Sequence, residues 1–163
     1  MSSANIARHG PIPEGRIFSA TGPASVQTIN GGTPTALNLG SLVEDTGFSW
    51  SDANDEVTCT FTGRALFSYS VNAEIGTTGT RDSFIAYFEE DTGSGYAVMA
   101  GTARRDYFRA STKAGTAALH PTPFDVVTGS KYRLIVDVDT TPQPTRIFGN
   151  KAGFTIQRIQ AAS

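Results

Sequence analysis

The stretch FTGRALFSYSVNAEI, residues 61–75, decides how the rest of the chain is read. From Phe67 onward, Phe67, Tyr69, Val71, Ala73 and Ile75 alternate with Ser68, Ser70, Asn72 and Glu74. A period of two places every large apolar group on one side of a strand and the small polar groups on the other. Such a strand builds a wall with one dry and one wet face. Several other segments repeat the pattern. EVTCTF (56–61) points Val57, Cys59 and Phe61 one way, and KYRLIVDVD (131–139) alternates Tyr132, Leu134, Val136 and Val138, with Ile135 out of phase.

GFTIQRI (153–159) carries Phe154 and Ile156, with Ile159 out of phase. DSFIAYFEE (82–90) is apolar in both phases, Phe84, Ala86 and Phe88 against Ile85 and Tyr87, which predicts cover on both faces. Shorter candidate strands are SVQTI (25–29), ending at the turn Asn30-Gly31-Gly32, TALNLGSLV (35–43), GFSW (47–50) and GYAVMAG (95–101). RRDYFRASTKAGTAALH (104–120) is open between a strand with a long loop and a helical turn. No other segment has helical periodicity over a useful length. Short strands at roughly ten-residue spacing make the fold class all-β, as a sandwich, jelly roll or barrel.

Composition agrees. The chain has 163 residues, 39% hydrophobic and only 17% charged, with 17 Gly, 8 Pro and 10 Phe. That length suits one domain with a real core plus a short extension, and that mix suits many strands joined by tight turns. A net charge of −2 offers no basic footprint for nucleic acid or a membrane surface. No apolar run reaches the ~18 residues of a membrane span. The opening MSSANIARHGPIPEG lacks the apolar centre of a secretory leader. With Cys59 as the lone cysteine, no intrachain disulfide and no Cys-rich metal site is expected, and the chain reads as made and kept in a cytosol or released by lysis.

Residues 1–24 hold Gly10, Pro11, Pro13, Gly15, Gly22 and Pro23 and cannot bury enough surface to fold alone. They read as an extended N-terminal arm, or as a loose tail, ahead of a β domain over 25–163. Ile6, Ile12, Ile17 and Phe18 are more apolar than a solvating tail needs, which favours an arm that docks.

Residues able to carry chemistry are sparse. His9 and His120 are far apart in sequence, His120 in an HPTP loop, and no G-x-S-x-G elbow accompanies them. The loop EDTGFSWSDANDE offers Glu44, Asp45, Asp52, Asn54, Asp55 and Glu56 as hard oxygen ligands, but its spacing is not that of an EF-hand and its Asp-Asn content suits a turn. Glu89, Glu90 and Asp91 are expected to cap a hairpin. Paired carboxylates hydrolyse glycosides only when set across a cleft, which sequence does not place. Arg104-Arg105, beside Tyr107 and Phe108, suits either an acidic partner or a charged strand edge. Cys59 reads as a small core residue, and Trp50 as a core plug or a sugar-stacking anchor. No catalytic residue, metal site or cofactor is expected, and the chain reads as a non-enzyme.

Three stretches carry a family resemblance. VTCTFTGRALFSYSV resembles the strand–Gly–strand hairpin of the trimeric jelly rolls of the complement-globular and tumour-necrosis-factor-like kind. VVTGSKYRLIVDVD resembles their Gly turn and long alternating strand, and GFTIQRI their last strand. The similarity spans residues 35–159. It implies a jelly-roll β-sandwich that forms homotrimers. In its tailed-bacteriophage version it implies a capsid decoration (cement) protein on the capsid exterior, made in the host cytoplasm, with the major capsid protein and its own copies as partners. Arm residues Ile6, Arg8, Ile12, Arg16, Ile17 and Phe18 would then bind the capsid. Phe67, Tyr69, Val71, Phe84, Tyr87, Phe88, Phe154 and Ile156 would form the trimer interface or the core wall. The alternative is a fibre or tail-tip module binding a host glycan or protein, for which Trp50, Tyr96 or Tyr107 exposed in loops would speak.

Overall fold

The computed structural model describes residues 17–22, 26–44, 47–51, 53–75, 82–108, 114–139 and 145–161. Among them every regular element is a strand. In chain order these are β1 (Ile17–Gly22), β2 (Gln27–Ile29), β3 (Thr35–Ala36), β4 (Ser41–Glu44), β5 (Phe48–Ser51) and β6 (Glu56–Cys59). Then come β7 (Gly63–Ile75), β8 (Asp82–Asp91), β9 (Tyr96–Val98), β10 (Arg104–Phe108), β11 (Ala114–Val126), β12 (Lys131–Val138) and β13 (Thr145–Ala161).

The strands form two antiparallel sheets. Sheet A runs β11-β7-β13-β1-β4, with β2 also on β13; sheet B runs β10-β8-β12-β6-β5, with β3 on β12 and β9 on β8. The long strands pass from sheet A to B and back: β7 in A, β8 and β10 in B, β11 in A, β12 in B, β13 in A. Two sheets wound in this way are a jelly roll, the all-β class that the alternating strands predict.

The alternation in residues 67–73 puts Phe67, Tyr69, Val71 and Ala73 into the core and leaves Ser68, Ser70 and Asn72 facing out. Opposite them sheet B contributes Phe84, Ala86, Phe88, Tyr132, Leu134, Val136 and Val138. Phe88 sits at the middle of the sandwich, with ring centroids 5.3 Å from Phe67, 5.6 Å from Tyr69 and 5.3 Å from Phe154, all edge-on. Each such ring, fully buried, stabilises the fold by about 1.5–3 kcal/mol before its neighbours add more. Cys59 is fully buried, with its thiol pushed up to about 12 chiefly by burial, and Trp50 is half-buried against the core. Both are therefore packing residues.

Of the stretch 104–120, left open by the sequence, the described residues are strand: Arg104–Phe108 form β10 and 114–120 the first half of β11. Two expectations need correction. His120-Pro121-Thr122-Pro123 is not a loop: it lies inside β11, where the register with β7 shifts between Leu119 and Thr122. β11 is an outer strand of sheet A, so prolines that cannot donate are tolerated there and blunt the free edge. Finally, Ile17 and Phe18 lie in β1, which pairs with β13 on one side and β4 on the other, Phe18 opposite Ile156 and Glu44. The sheet therefore starts inside the stretch 1–24. Ile6, His9, Arg8, Ile12 and Arg16 lie outside the described residues.

Candidate functional site

With the core filled, the surfaces left to carry function are the outer faces of the two sheets, and they differ in kind. The outer face of sheet B is a lattice of paired charges. Lys131 Nζ lies 2.9 Å from Glu56 Oε1, and Asn54 and the Tyr96 hydroxyl donate to the same carboxylate. Burial would raise the Glu56 carboxyl, but these donors outweigh it and hold the group below its ordinary value. Arg133 pairs with Glu89 at 2.7 Å and lays its guanidinium 3.7 Å from the centroid of the Tyr96 ring. Arg105 binds Ser83 Oγ at 2.8 Å and forms an ion pair with Asp139.

Tyr87 lies opposite Ile135 in the strand register, and both are buried on this outer side. Of the second apolar phase of 82–90, Tyr87 is buried and Ile85 half-buried. The phenol of Tyr87 is raised by burial and by Glu89 and Asp137.

These pairings redefine several candidates. Glu89 and Glu90 do not cap the hairpin: they bind Arg133 and the Tyr132 hydroxyl, because strand residues reach across the ladder. Asp91 does cap it, accepting from the backbone of Gly93 and Gly95 at 2.7 and 2.9 Å. Asp55, at a positive φ of 50°, accepts from the Leu39 amide. Arg104 curls onto the carbonyls of Gly101 and Ala103 on the edge strand β10. Among the described residues no cluster of three or more His, Cys, Asp or Glu is placed to hold a metal ion, and no helix is long and apolar enough to cross a membrane.

Of the residues assigned to an interface or core wall, Phe67, Tyr69, Val71, Phe84, Phe88, Phe154 and Ile156 all lie in the core between the sheets. They face no neighbour. Tyr87 is the exception, on the outer side of sheet B.

The outer face of sheet A is the opposite of its partner. Along β7, β11 and β13 it presents Ser68, Ser70 and Asn72, then Thr116 and Ala118, then Gly153, Thr155 and Gln157, in register Ala118↔Ser70↔Gly153. Leu66 is a large aliphatic group on this side, Ile159 near the end of β13 is exposed, and Val43 of β4, well exposed, continues the row Ser68↔Thr155↔Ser19↔Val43. Thr116 donates its hydroxyl to the Asn72 side-chain oxygen. Charge on β7 is confined to the ends: Arg64, paired with Asp125 at 3.3 Å, and Glu74. The centre is neutral. The sequence signal for this face was present in 67–75, in the polar half of the alternation.

The fold has many solved counterparts. A tumour necrosis factor, Eiger, from S. frugiperda superposes with a TM-score of 0.63 at 9% identity, over 90% of this chain and 93% of that one. The globular domain of zebrafish complement 1qA superposes at 0.59 and 13% identity, over 90% and 99%. Murine APRIL superposes at 0.59 and 10% identity, over 89% and 99%. Identities this low show a shared jelly-roll fold and nothing finer. No protein-family model matches the chain, and no curated protein matches it in sequence.

Proposed function

We propose that three copies of the chain assemble about a threefold axis through the outer face of sheet A, forming a non-enzymatic structural module. The observation that carries this reading is the neutrality of that face beside the paired charges of sheet B. Near a threefold axis each side chain meets two copies of itself, so any charge there would face two like charges. A field of uncharged side chains, mostly Ser, Thr, Ala and Gly with Leu66, Asn72 and Gln157 among them, accepts its own copies without that penalty. Sheet B, with its charges already paired on the surface, suits water.

The finer reading, supported by the resemblance of the sequence, is a capsid decoration protein on the exterior of a phage virion, with the major capsid protein as partner. Binding spread over a large interface needs no catalytic residue. Ile17 stands opposite Gln157, so the chain enters the jelly roll at the end where β13 closes. Residues 1–16, with Ile6, Arg8, Ile12 and Arg16, would anchor to capsid subunits from there. A receptor-binding module has less support, because Trp50 and Tyr96 are engaged within the domain and only Tyr107 stands well exposed, at 64%.

Light scattering on the concentrated chain tests the assembly: a mass of three chains is expected, and a monomer at every concentration would sink it. Deleting residues 1–16 tests the anchor. The truncated chain should keep the full-length mass and lose binding to capsids of the virus that encodes it, whereas undiminished binding would overturn the arm.

A further inference from the structure

We infer that Asn30 is a site of spontaneous covalent modification: in the folded chain the Gly31 amide nitrogen attacks the Asn30 side chain, which becomes aspartate or isoaspartate without an enzyme. The reaction needs two groups free at once, a carboxamide able to swing back and a following amide that nothing else holds. Asn30-Gly31 is the one place in the sequence where asparagine precedes glycine, so no side chain shields the attacking nitrogen. Asn30 is exposed just past the end of β2, and among the described residues the Gly31 amide has no acceptor.

The other described asparagine side chains are restrained. Asn72 has its carboxamide oxygen bonded by Thr116, and Ala73 after it is paired with both Gly115 and Ile147. The Asn54 carboxamide donates to Glu56. The amide that follows Asn38, that of Leu39, is given to Asp55. In the sequence Asn5 and Asn150 precede Ile6 and Lys151, whose side chains crowd the attack.

In the first step the Gly31 nitrogen bonds to Asn30 Cγ and gives its proton to solvent. The Asn30 amide nitrogen takes up a proton and leaves as ammonia, closing a succinimide ring. Water then opens the ring. Its attack at Cγ gives aspartate; its attack at the main-chain carbonyl gives isoaspartate, in which the chain runs through Cβ and gains a methylene. Either product adds a negative charge to a chain of net charge −2.

Position makes the second product costly. Ile29 is fixed in the sheet A ladder opposite Thr145, and Gly32, at a φ of 74°, donates its amide to the Val138 carbonyl of sheet B at 2.9 Å. Asn30 and Gly31 alone span these two pins. The Gln27 side chain clamps the same crossing, donating to the Ala36 carbonyl at 2.7 Å and accepting from the Asn38 amide at 2.9 Å. A longer main chain between fixed ends must strain or break one of these bonds, whereas aspartate keeps the native length. Age is thus recorded where the chain passes from sheet A to sheet B.

The test ages the full chain in mildly alkaline buffer, both native and unfolded in guanidinium. Peptides are mapped by mass spectrometry, and an isoaspartyl methyltransferase marks isoaspartate. Native conversion at Asn30 should precede that at every other asparagine and run within about tenfold of the unfolded rate, which is about 1.4 kcal/mol of added barrier. Asn30→Gln should remove it. The isoaspartate fraction should melt about 2–4 °C below the parent, and Asn30→Asp, which makes the other product directly, within about 1 °C of it. Native conversion slower than that tenfold limit, or faster at another asparagine, would overturn the site. An isoaspartate fraction that melts with the parent would overturn the strain at the crossing.

Discussion

The Tyr69 hydroxyl crosses the core from sheet A to reach the backbone carbonyl of Thr102, 2.8 Å away, in the turn between β9 and β10. It also lies within hydrogen-bond reach of the Ala86 carbonyl on β8, and a phenol has one proton for the two acceptors. Thr102 is itself fully buried, its hydroxyl accepting from the Phe88 amide and donating to the Met99 carbonyl. One phenol therefore ties the sheets together where the edge of β8 changes partner from β9 to β10. Burial is the main cause that raises its pKa far above the ordinary tyrosine value, so it stays a neutral donor at any working pH. Tyr69→Phe keeps the ring and deletes the donor. We expect a loss of about 1–3 kcal/mol in urea unfolding. A change below about 0.5 kcal/mol would show that the two carbonyls are satisfied without it.

Phe88→Ala should cost more, about 3–5 kcal/mol, because it empties the space shared by Phe67, Tyr69 and Phe154 and the two sheets cannot close over it. The readout is the denaturation midpoint at unchanged slope. A loss near 1 kcal/mol would mean that the sheets move together.

Gly115 is needed for its lack of a side chain and not for an unusual backbone. A Cβ there would stand 3.0 Å from Asp106 Oδ2, 3.0 Å from a Phe84 ring carbon and 3.3 Å from Phe108. This is the seam where β11 of sheet A meets β10 of sheet B, held by the Thr116 amide donating to Asp106 at 2.6 Å. Replacing a strand glycine by alanine ordinarily gains up to about 1 kcal/mol from the unfolded chain. Here overpacking, at about 1–3 kcal/mol, should win. Gly115→Ala is expected to melt roughly 2–8 °C lower; a higher melting temperature would show that the seam relaxes freely.

The Glu56–Lys131 pair predicts a pH window. Despite the raising effect of burial, the hydrogen bonds from Tyr96, Lys131 and Asn54 leave Glu56 below its ordinary 4.5. Its contribution is therefore present above pH 4.5 and lost as pH falls through the lower folded value. Lys131, raised above 10.5 first by its bond to Glu56, contributes below pH 10.5 and loses that as pH rises through the folded value. Glu56→Gln should melt below the parent between about pH 5 and pH 10, with the gap closing on further acidification. A gap independent of pH across the acid range would assign the loss to packing instead.

Residues 67–75 alone specified the strand, its buried side and its polar side, because a period of two admits only one assignment of faces. The alternations in 131–138 and 153–157 did the same for β12 and β13, and together they made the all-β class legible. What sequence could not decide was which marginal segments would join a sheet. IFSATG (17–22) has too few apolar groups to announce a strand, yet it is held between β13 and β4 by ladders on both edges. HPTP (120–123) carries turn residues, yet it stays in register with β7 past one shift because an outer strand need not donate on its free side.

The same limit applied to the site. The polar half of FSYSVNAEI was visible as a face from the start, but a face is defined by what lies beside it. Only the pairing Ala118↔Ser70↔Gly153 turned three separate small residues into one neutral surface. Likewise Glu56 read as a candidate oxygen ligand and Glu89 as a hairpin cap until the fold set Lys131 and Arg133 against them. Local alternation is a property of neighbours in the chain and can be read there. Charge pairing and surface neutrality are properties of neighbours in space, which long-range strand pairing alone creates.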